Sequence, residues 1–490
     1  MCNAYHLYIV LIEVLSLSGF QSCDFSPDNV TVVRIYPDSV LSDIANHPIG
    51  INVNYFMDDD NYLNPKVKTA EALKQMGVRY LRYPGGNKSD LYLFSKPPYE
   101  KSQPALSRTG RGAMGYERVI RNSKEYKFDV LDFDEFIALC REVGAEPVVV
   151  VAADEYLVKY PAGTAVTDKA GLITNAVEWV RYSNLKKGYN VRYWMIGNEC
   201  WHKNNENSTP EIYARDVVDF SKAMKAVDPS ILIIPNGNSS EFFNTVLRIA
   251  GSYVDMLCLS NYPVWDYSSG YNTYCDSVTD LLTPVKRAMT AMEDTEKNYG
   301  ISKKKIIVAE YGPFDWAYKW PMVNDMGHNL CNFEMTGEQL KTPEIEFSCF
   351  WNTRWIDNDS IDNSVFDALD KNGNFNANGL GLMIWGNWLG KKMVATTSNL
   401  HIRTFASSCP EENILYVYLL NKNQLPVRIQ LDIEGYKITG IEKSGQLYGN
   451  GPDDVDPVWN DDLILSMNDL RKMELPGTSI SVIKLRTIRK

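Results

Sequence analysis

Two apolar stretches of this chain each end in a glutamate. The first runs through residues 193–197 into Asn198 and Glu199, and the second runs through residues 306–309 into Glu310. A carboxylate that directly follows a buried strand loses its solvation unless it faces a polar cleft. One such glutamate could simply begin a solvated loop, but two in matching positions indicate a catalytic pair. Hydrolysis of a glycosidic bond needs two carboxyl groups, a protonated acid for the leaving oxygen and a carboxylate for the anomeric carbon.

The elements that must position this pair follow a repeated pattern between residues 49 and 352. Short apolar runs alternate there with helix-length amphipathic stretches. Strands buried on both faces and joined by helices form a parallel sheet. Eight such units predict an α/β fold, the (β/α)₈ TIM barrel, in which the C-terminal strand ends carry the chemistry. Strands four and seven would then hold their glutamates across the barrel mouth, about 5–5.5 Å apart, as in retaining enzymes. The predicted strands are residues 49–55, 80–84, 146–152, 192–199, 231–236, 256–262, 305–311 and 346–352.

The remaining chain predicts a second domain and a leader. After about residue 392, short alternating strands with turn residues between them are typical of an antiparallel β-sandwich. An isolated strand near the N-terminus is expected to join it. The apolar run at residues 7–20 has the length of a signal-peptide core, although no positive segment precedes it. The predicted division is a signal segment at 1–23, a sandwich strand at 24–45, the barrel at 46–391 and the sandwich at 392–490.

Composition and cysteine spacing limit the possible partners. A net charge of −11 argues against nucleic acid, whose phosphates require a basic surface. The nine cysteines include no CxxC pair and no histidine spacing typical of zinc, so we expect neither metal nor cofactor. No later stretch is apolar enough for a transmembrane segment. The leader favours a secreted, periplasmic or surface-anchored protein, and it leaves open whether Cys23 is lipidated.

The catalytic pair also resembles a known signature. Asn198-Glu199 and Glu310 resemble the clan A retaining glycoside hydrolases, and this resemblance implies that Glu199 is the acid/base and Glu310 the nucleophile. The first half of the chain resembles the α-L-arabinofuranosidase family within that clan, and the second half resembles the agarases and porphyranases. Arabinofuranosidases carry a histidine at the end of strand six, where this chain has residues 260–262, Ser-Asn-Tyr. The segments that carry the two likenesses are residues 82–87, 133–136, 144–147, 178–180 and 194–199, and residues 350–355 and 384–386.

Several residues are expected to support this chemistry. Arg82, on strand two, should keep Glu310 ionised, because a nearby cation lowers the pKa of a carboxyl group; a purely structural role for Arg82 is the alternative. Asn198 is expected to bind the sugar 2-hydroxyl, with a turn or cap role as its alternative. Burial and the charge of Glu310 should raise the pKa of Glu199. The other predicted substrate contacts are Asn261, Tyr262, Tyr311, Trp316, Trp351 and Asn352.

Aromatic residues in the predicted loops decide between a groove and a pocket. Sugar faces stack on aromatic rings, so a line of rings predicts several subsites and cleavage inside a polysaccharide. The alternative is that these rings anchor long loops. We therefore expect an endo-acting hydrolase of a galactan-type polysaccharide or oligosaccharide. An exo-acting α-L-arabinofuranosidase is the second hypothesis, and a non-catalytic carbohydrate-binding barrel is the third. The aromatic residues are Trp201, Trp265, Tyr267, Tyr271, Tyr274, Trp316, Tyr318, Trp320, Trp351 and Trp355.

Overall fold

The structure covers most of the chain, with gaps mainly at the N-terminus and in the segments between residues 95 and 130 and between 154 and 167. The computed structural model describes residues 30–55, 58–90, 92–94, 97, 120–121, 125–126, 131–153, 168–201, 209–262, 270–277, 280–315, 318–354, 364–463 and 465–490. The predicted signal segment, 1–23, lies outside these residues. Within the described part of the chain, no helix is both long and apolar enough to cross a bilayer.

The strands belong to two large sheets and one short ribbon. In chain order they are β1 (Thr31–Asp43), β2 (Ile49–Asn52), β3 (Tyr80–Tyr83), β4 (Ile120–Arg121), β5 (Glu125–Tyr126), β6 (Glu146–Val151), β7 (Tyr193–Ile196), β8 (Leu232–Pro235), β9 (Met256–Asn261), β10 (Lys305–Tyr311), β11 (Ile345–Phe350), β12 (Lys392–Thr396), β13 (Ile402–Cys409), β14 (Ile414–Asn421), β15 (Val427–Ile433), β16 (Tyr436–Tyr448), β17 (Val458–Asn460), β18 (Met473–Leu475) and β19 (Ser479–Arg489). The ribbon is formed by β4 and β5.

The helices lie mainly between the strands of the first sheet. They are α1 (Asp60–Leu63), α2 (Thr69–Met76), α3 (Phe133–Val143), α4 (Lys169–Val180), α5 (Pro210–Val227), α6 (Ser240–Ala250), α7 (Tyr271–Asp276), α8 (Thr283–Tyr299), α9 (Met326–Leu340) and α10 (Ala377–Asn387). A π-helix, Arg181–Lys186, continues α4, and short 3₁₀ helices occupy Pro410–Glu412 and Asp469–Lys472. Local sequence explains several boundaries. Asp132 and Glu135 form a capping box at the start of α3, and Gly144 ends that helix in a left-handed conformation.

Eight parallel strands form a nearly closed barrel. Their order is β8–β7–β6–β3–β2–β11–β10–β9, and a parallel bridge between Asn236 and Cys258 joins the two outer strands. Each strand overlaps one of the eight predicted from the sequence, so the barrel prediction is confirmed. Side chains fill the interior, where the rings of Tyr80 and Phe347 stack with their centroids 3.9 Å apart. The barrel is therefore a packed core whose strand ends can hold a site.

The second sheet combines both ends of the chain. Its nine strands are ordered β17–β16–β19–β14–β13–β12–β1–β15–β18. The N-terminal strand β1 pairs antiparallel with β12, as the sequence suggested, but it pairs in parallel with β15. The sheet is thus mostly antiparallel, whereas the sequence predicted an antiparallel sandwich. Because strands from opposite chain ends lie side by side, no local pattern could indicate their direction.

Candidate active site

Glu310 lies at the barrel mouth near the end of β10. Its side chain is buried, with 5% of the residue exposed. One carboxylate oxygen accepts a hydrogen bond from Arg82 Nη1 at 2.9 Å, and the other accepts from the hydroxyl of Tyr262 at 3.0 Å. Each oxygen of this carboxylate is therefore held by a donor from another strand or its end. This arrangement fixes the orientation of the carboxylate before any substrate arrives.

Arg82 connects four strand ends through one guanidinium group. Nη1 donates to Asn52 Oδ1 at 2.7 Å as well as to Glu310. Nη2 donates to Asn198 Oδ1 at 2.6 Å, and Nε contacts the sulfur of Met195 at 3.2 Å. Arg82 is almost completely buried. The predicted proximity of Arg82 to Glu310 is therefore observed, and the same guanidinium also reaches the residue before Glu199.

Asn52 is a member of this network that the sequence analysis missed. It ends β2 and is fully buried. Its amide nitrogen donates to the carbonyl groups of Ala309 and Phe350 at 2.9 and 3.1 Å, while its oxygen accepts from Arg82. The sequence feature that could have indicated Asn52 is an amide side chain within an otherwise apolar strand. Because a buried amide requires partners, that signal could have been used.

A tight turn presents Glu199 after β7. Gly197 and Glu199 both adopt left-handed backbone conformations, with φ of 70° and 46°. The backbone N–H of Asn198 donates to Asp90 Oδ1 at 3.1 Å, and the amide of Asn236 donates to the Gly197 carbonyl at 3.1 Å. Left-handed backbone is uncommon for glutamate and is found where surrounding contacts impose it, often at functional sites. Glu199 is half-buried at this position.

Both carboxyl groups have raised pKa values. Burial raises the pKa of Glu199, against lowering contributions from Ser260 and Arg82. Burial also raises the pKa of Glu310 to about 7, and the charge of Glu199 adds to this, although Arg82 and Tyr262 lower it. Arg82 acts in the direction predicted from the sequence, but desolvation outweighs it. One guanidinium faces two carboxyl groups, so the pair is expected to retain a proton near neutral pH.

Trp351 forms a wall of the site and is only 7% exposed. It packs against Gly86: a Cβ atom on Gly86 would lie 2.4 Å from the ring atom Cη2 of Trp351 and 2.7 Å from Glu310 Oε1. The ring also belongs to an apolar cluster with Tyr262 and Phe314. The peptide bond between Trp351 and Asn352 is cis. The close approach of Gly86 explains why this position of the loop cannot carry a side chain.

The other predicted substrate contacts lie mainly in the protein interior. Asn261 is fully buried and donates to the carbonyl of Leu281 at 3.0 Å. The hydroxyl of Tyr311 receives a hydrogen bond from Thr336 at 3.2 Å. Asn352 is fully buried too. Trp316 lies outside the described residues. Contact of these four side chains with substrate stays a prediction, and so does contact of Tyr262 with substrate, although its hydroxyl donates to Glu310.

The aromatic residues of the predicted groove that the structure describes include both buried and exposed rings. Tyr271, Tyr274 and Trp320 are buried, with 6%, 1% and 3% exposed, and they pack against one another. Trp320 also stacks on His328, with ring centroids 3.8 Å apart. Tyr318 is 69% exposed. These buried rings anchor loops, which was the alternative explanation. Outside the described residues lie Trp265, Tyr267, Trp316 and Trp355.

Several solved structures share this architecture. An α-L-arabinofuranosidase from Bifidobacterium longum superposes with a TM-score of 0.70 at 15% identity, covering 93% of this chain and 100% of that chain. The arabinose complex of an α-L-arabinofuranosidase from Thermotoga maritima gives 0.65 at 18% identity, with 94% and 100% covered. A xyloglucanase from Paenibacillus polymyxa gives 0.63 at 13% identity, with 94% and 100% covered. At these identities the likeness shows the fold alone, since proteins with different substrates share it.

Sequence comparison is more specific. Residues 72–277 match the family model described as the α-L-arabinofuranosidase 1 domain. α-L-Arabinofuranosidase C from Emericella nidulans is 32% identical over 186 residues, covering 36% of this chain and 33% of the relative. An intracellular exo-α-(1→5)-L-arabinofuranosidase from Acetivibrio thermocellus is 26% identical over 298 residues, covering 56% and 53%. The chain thus spans about a third to a half of the length of these curated relatives.

These matches support one half of the resemblance noted in the sequence. The segment that matches the family model contains Arg82, Asn198 and Glu199, whereas Glu310 lies beyond it. They support similarity to the α-L-arabinofuranosidases and do not show the similarity of the second half to agarases and porphyranases. The arabinofuranosidase hypothesis, placed second by the sequence analysis, therefore fits the comparisons better than the galactan hypothesis.

Proposed function

We propose that this protein is an α-L-arabinofuranosidase that hydrolyses its substrate with retention of configuration. One observation carries the proposal: Arg82 joins the strand-seven glutamate to the Asn-Glu pair of strand four within hydrogen-bonding distance. The similarity of residues 72–277 to the α-L-arabinofuranosidase 1 domain supports arabinose as the sugar that the enzyme releases. A carbohydrate-binding barrel without catalysis would not need two carboxyl groups whose pKa values are both raised.

The proposed roles of the two glutamates follow from their donors. Glu310 accepts hydrogen bonds from Arg82 and Tyr262, so its carboxylate form is stabilised relative to that of Glu199. On these hydrogen bonds we place the shared proton on Glu199, as a general acid requires. The raising effect of a charged Glu199 on the pKa of Glu310 then applies only after Glu199 has lost that proton. Glu310 attacks the anomeric carbon while Glu199 protonates the departing oxygen. This step breaks the glycosidic bond and forms a glycosyl ester on Glu310.

The second half of the reaction returns both groups to their starting state. Deprotonated Glu199 removes a proton from water, and the resulting oxygen nucleophile attacks the anomeric carbon and releases Glu310 as carboxylate. Two inversions at one carbon give net retention. Asn198, held by Arg82, lies next to Glu199 and is proposed to bind the sugar 2-hydroxyl during both steps.

We further propose exo action at a pocket. Trp351 stands as a buried wall beside Glu310, and three rings expected to line a groove anchor loops instead. A terminal sugar needs only the ring beside the nucleophile, whereas an internal segment of a long chain needs a line of stacking platforms. The departure of strand six from the usual histidine remains compatible, because Tyr262 at that strand end contacts the nucleophile.

The decisive experiment measures hydrolysis of an aryl α-L-arabinofuranoside and of arabinan oligosaccharides. Glu310→Gln should lower kcat by several orders of magnitude. Glu199→Gln should lose most activity on oligosaccharides but retain more on aryl substrates, whose leaving groups need little protonation. Glu178→Gln is the matched control, because that glutamate is exposed and pairs only with Arg181 among the described residues.

Product analysis tests the stereochemistry and the mode of action. Proton NMR should show the first-formed arabinose with the anomeric configuration of the substrate. Arabinose should be the early product from the outset. Early release of oligosaccharides from agarose or porphyran, with no hydrolysis of arabinofuranosides, would instead establish the galactan hypothesis.

A further inference from the structure

A cluster of three potential metal ligands lies where helix α7, which follows barrel strand β9, meets the nine-stranded sheet. Cys275 and Asp276 end α7, and His401 immediately precedes β13. Cys275 Sγ lies 3.7 Å from His401 Nδ1. One ligand atom from each of the three residues lies within 4.8 Å of the other two. Cysteine and histidine are 126 positions apart in the chain, so no spacing in the sequence could indicate this cluster.

We propose that this cluster binds a divalent zinc ion that links the barrel to the second sheet. Zinc–sulfur and zinc–nitrogen bonds of about 2.3 and 2.0–2.1 Å in a tetrahedral site place the two ligand atoms about 3.5 Å apart. The observed 3.7 Å between Cys275 and His401 is close to this value. A mixed set of thiolate, imidazole and carboxylate suits zinc better than magnesium or calcium, which prefer oxygen ligands.

Neighbouring groups hold the three candidate ligands in place and leave the cluster open to solvent. The carbonyl oxygen of Lys422 accepts hydrogen bonds from Cys275 Sγ at 3.3 Å and from the Tyr271 hydroxyl at 2.6 Å. The backbone N–H of His401 donates to Asn399 Oδ1 at 2.9 Å. The contacts of Cys275 and His401 place these two ligands before an ion binds, and the Cys275 contact ends when zinc displaces the thiol proton. Asp276 is exposed and His401 half-buried, so an ion and a water as fourth ligand can enter from solvent.

The charges nearby are compatible with a cation. Zinc binding must displace the proton of the Cys275 thiol, as thiolate ligation of zinc generally requires. The ion would also relieve repulsion between thiolate and carboxylate. Lys422 lies close to the cluster, since its carbonyl contacts Cys275, and its ammonium group lies 4.1 Å from the ring centroid of Tyr274 and 3.8 Å from Glu334. The carboxylate of Glu334 therefore offsets the positive charge of Lys422.

The consequence of binding would be mechanical coupling between the two parts of the molecule. Helix α7 follows β9, and the residue after β9 is Tyr262, which contacts Glu310. An ion held jointly by α7 and His401 would cross-link this part of the barrel to the second sheet. Binding to the folded state alone would raise the unfolding temperature as zinc is added.

The test measures zinc binding to the full chain after treatment with a chelator. Equilibrium dialysis should give one zinc ion per chain, and cobalt in its place should show a thiolate-to-metal charge-transfer band. Cys275→Ala and His401→Ala should each weaken zinc binding by about tenfold or more and abolish the zinc-dependent rise in Tm. Cys409→Ala is the matched control, because this buried thiol ends the strand that begins beside His401. It should bind zinc as wild type does.

Three results would overturn the proposal. They are a cobalt complex without a thiolate band, equal zinc affinity in wild type and Cys275→Ala, or weak binding unaffected by both variants, which means an adventitious ion only. If Cys275→Ala fails to fold, Asp276→Asn and His401→Asn provide the comparison, because Asp276 is exposed. None of these readouts depends on glycosidase activity, so the outcome is independent of the proposed function.

Discussion

Removing the hydroxyl group of Tyr262 tests the electrostatics of the active site with a one-atom change. In wild type this hydroxyl donates to Glu310 at 3.0 Å in a buried environment. The ring of Tyr262 stacks on Phe314 with centroids 5.0 Å apart, and phenylalanine keeps that stacking. Tyr262→Phe should therefore preserve the fold and delete one hydrogen bond to a charged group.

The magnitude follows from the strength of that hydrogen bond. A hydrogen bond to a charged group contributes about 1.5–3 kcal/mol, and one pKa unit corresponds to about 1.4 kcal/mol. The hydroxyl stabilises the carboxylate form of Glu310, so its loss should raise the pKa of that residue by about 1–2 units. The pKa of Glu310 in wild type is already about 7 because of burial. The variant should need a more alkaline pH to ionise its nucleophile.

The assay is the pH dependence of kcat/KM on an aryl α-L-arabinofuranoside. The acidic limb of the profile reports ionisation of the free enzyme's nucleophile, and it should move to higher pH by about 1–2 units. Tyr83→Phe is the matched control. It also removes a buried hydroxyl, but that hydroxyl donates to the Leu131 carbonyl at 2.9 Å instead of the proposed nucleophile. An unmoved acidic limb in a folded Tyr262→Phe variant would refute the assignment of that limb to Glu310.

Two further substitutions test the packing and orientation of the site. Gly86→Ala should lower kcat/KM by about tenfold or more, because the new methyl group would meet Trp351 at 2.4 Å and Glu310 at 2.7 Å; Gly451→Ala, in open space, should match wild type in the same assay. Asn52→Ala should move the acidic limb of the pH profile, because the guanidinium of Arg82, which also donates to Glu310, then loses the Asn52 oxygen as a hydrogen-bond acceptor. Restoration of the wild-type limb by Asn52→Asp would contradict a role for a neutral amide at this position.

The barrel and the two glutamates were predictable because each depends on local patterning. A strand buried on both faces appears as a continuous apolar run, and the polar residue that ends it marks the barrel mouth. The runs that end at Glu199 and Glu310 gave both signals. The position of Arg82 followed in the same way, since it lies within an apolar strand and ionised arginine is rarely buried without a partner.

Features set by contacts between distant segments could not be predicted in this way. The aromatic residues show this limit, because composition cannot distinguish a ring that stacks on sugar from one that anchors a loop. Trp320 is covered by His328 and by Tyr274, which precedes it by 46 positions, and their contact exists only in the folded barrel. The parallel pairing of β1 with β15 has the same origin.

The hydrogen bonds of Arg82 indicate why a buried ion pair is kept at the barrel mouth although its desolvation is unfavourable. A buried ion pair is poor evidence for stability, because desolvation of both charges can exceed their attraction. Arg82 and Glu310 nevertheless meet in an almost fully buried position, and burial raises the pKa of Glu310 in spite of the pairing. The same guanidinium holds Asn198, the neighbour of Glu199. A single residue thus connects Glu310 to the neighbour of Glu199, and this connection, more than stability, accounts for a buried charge at the barrel mouth.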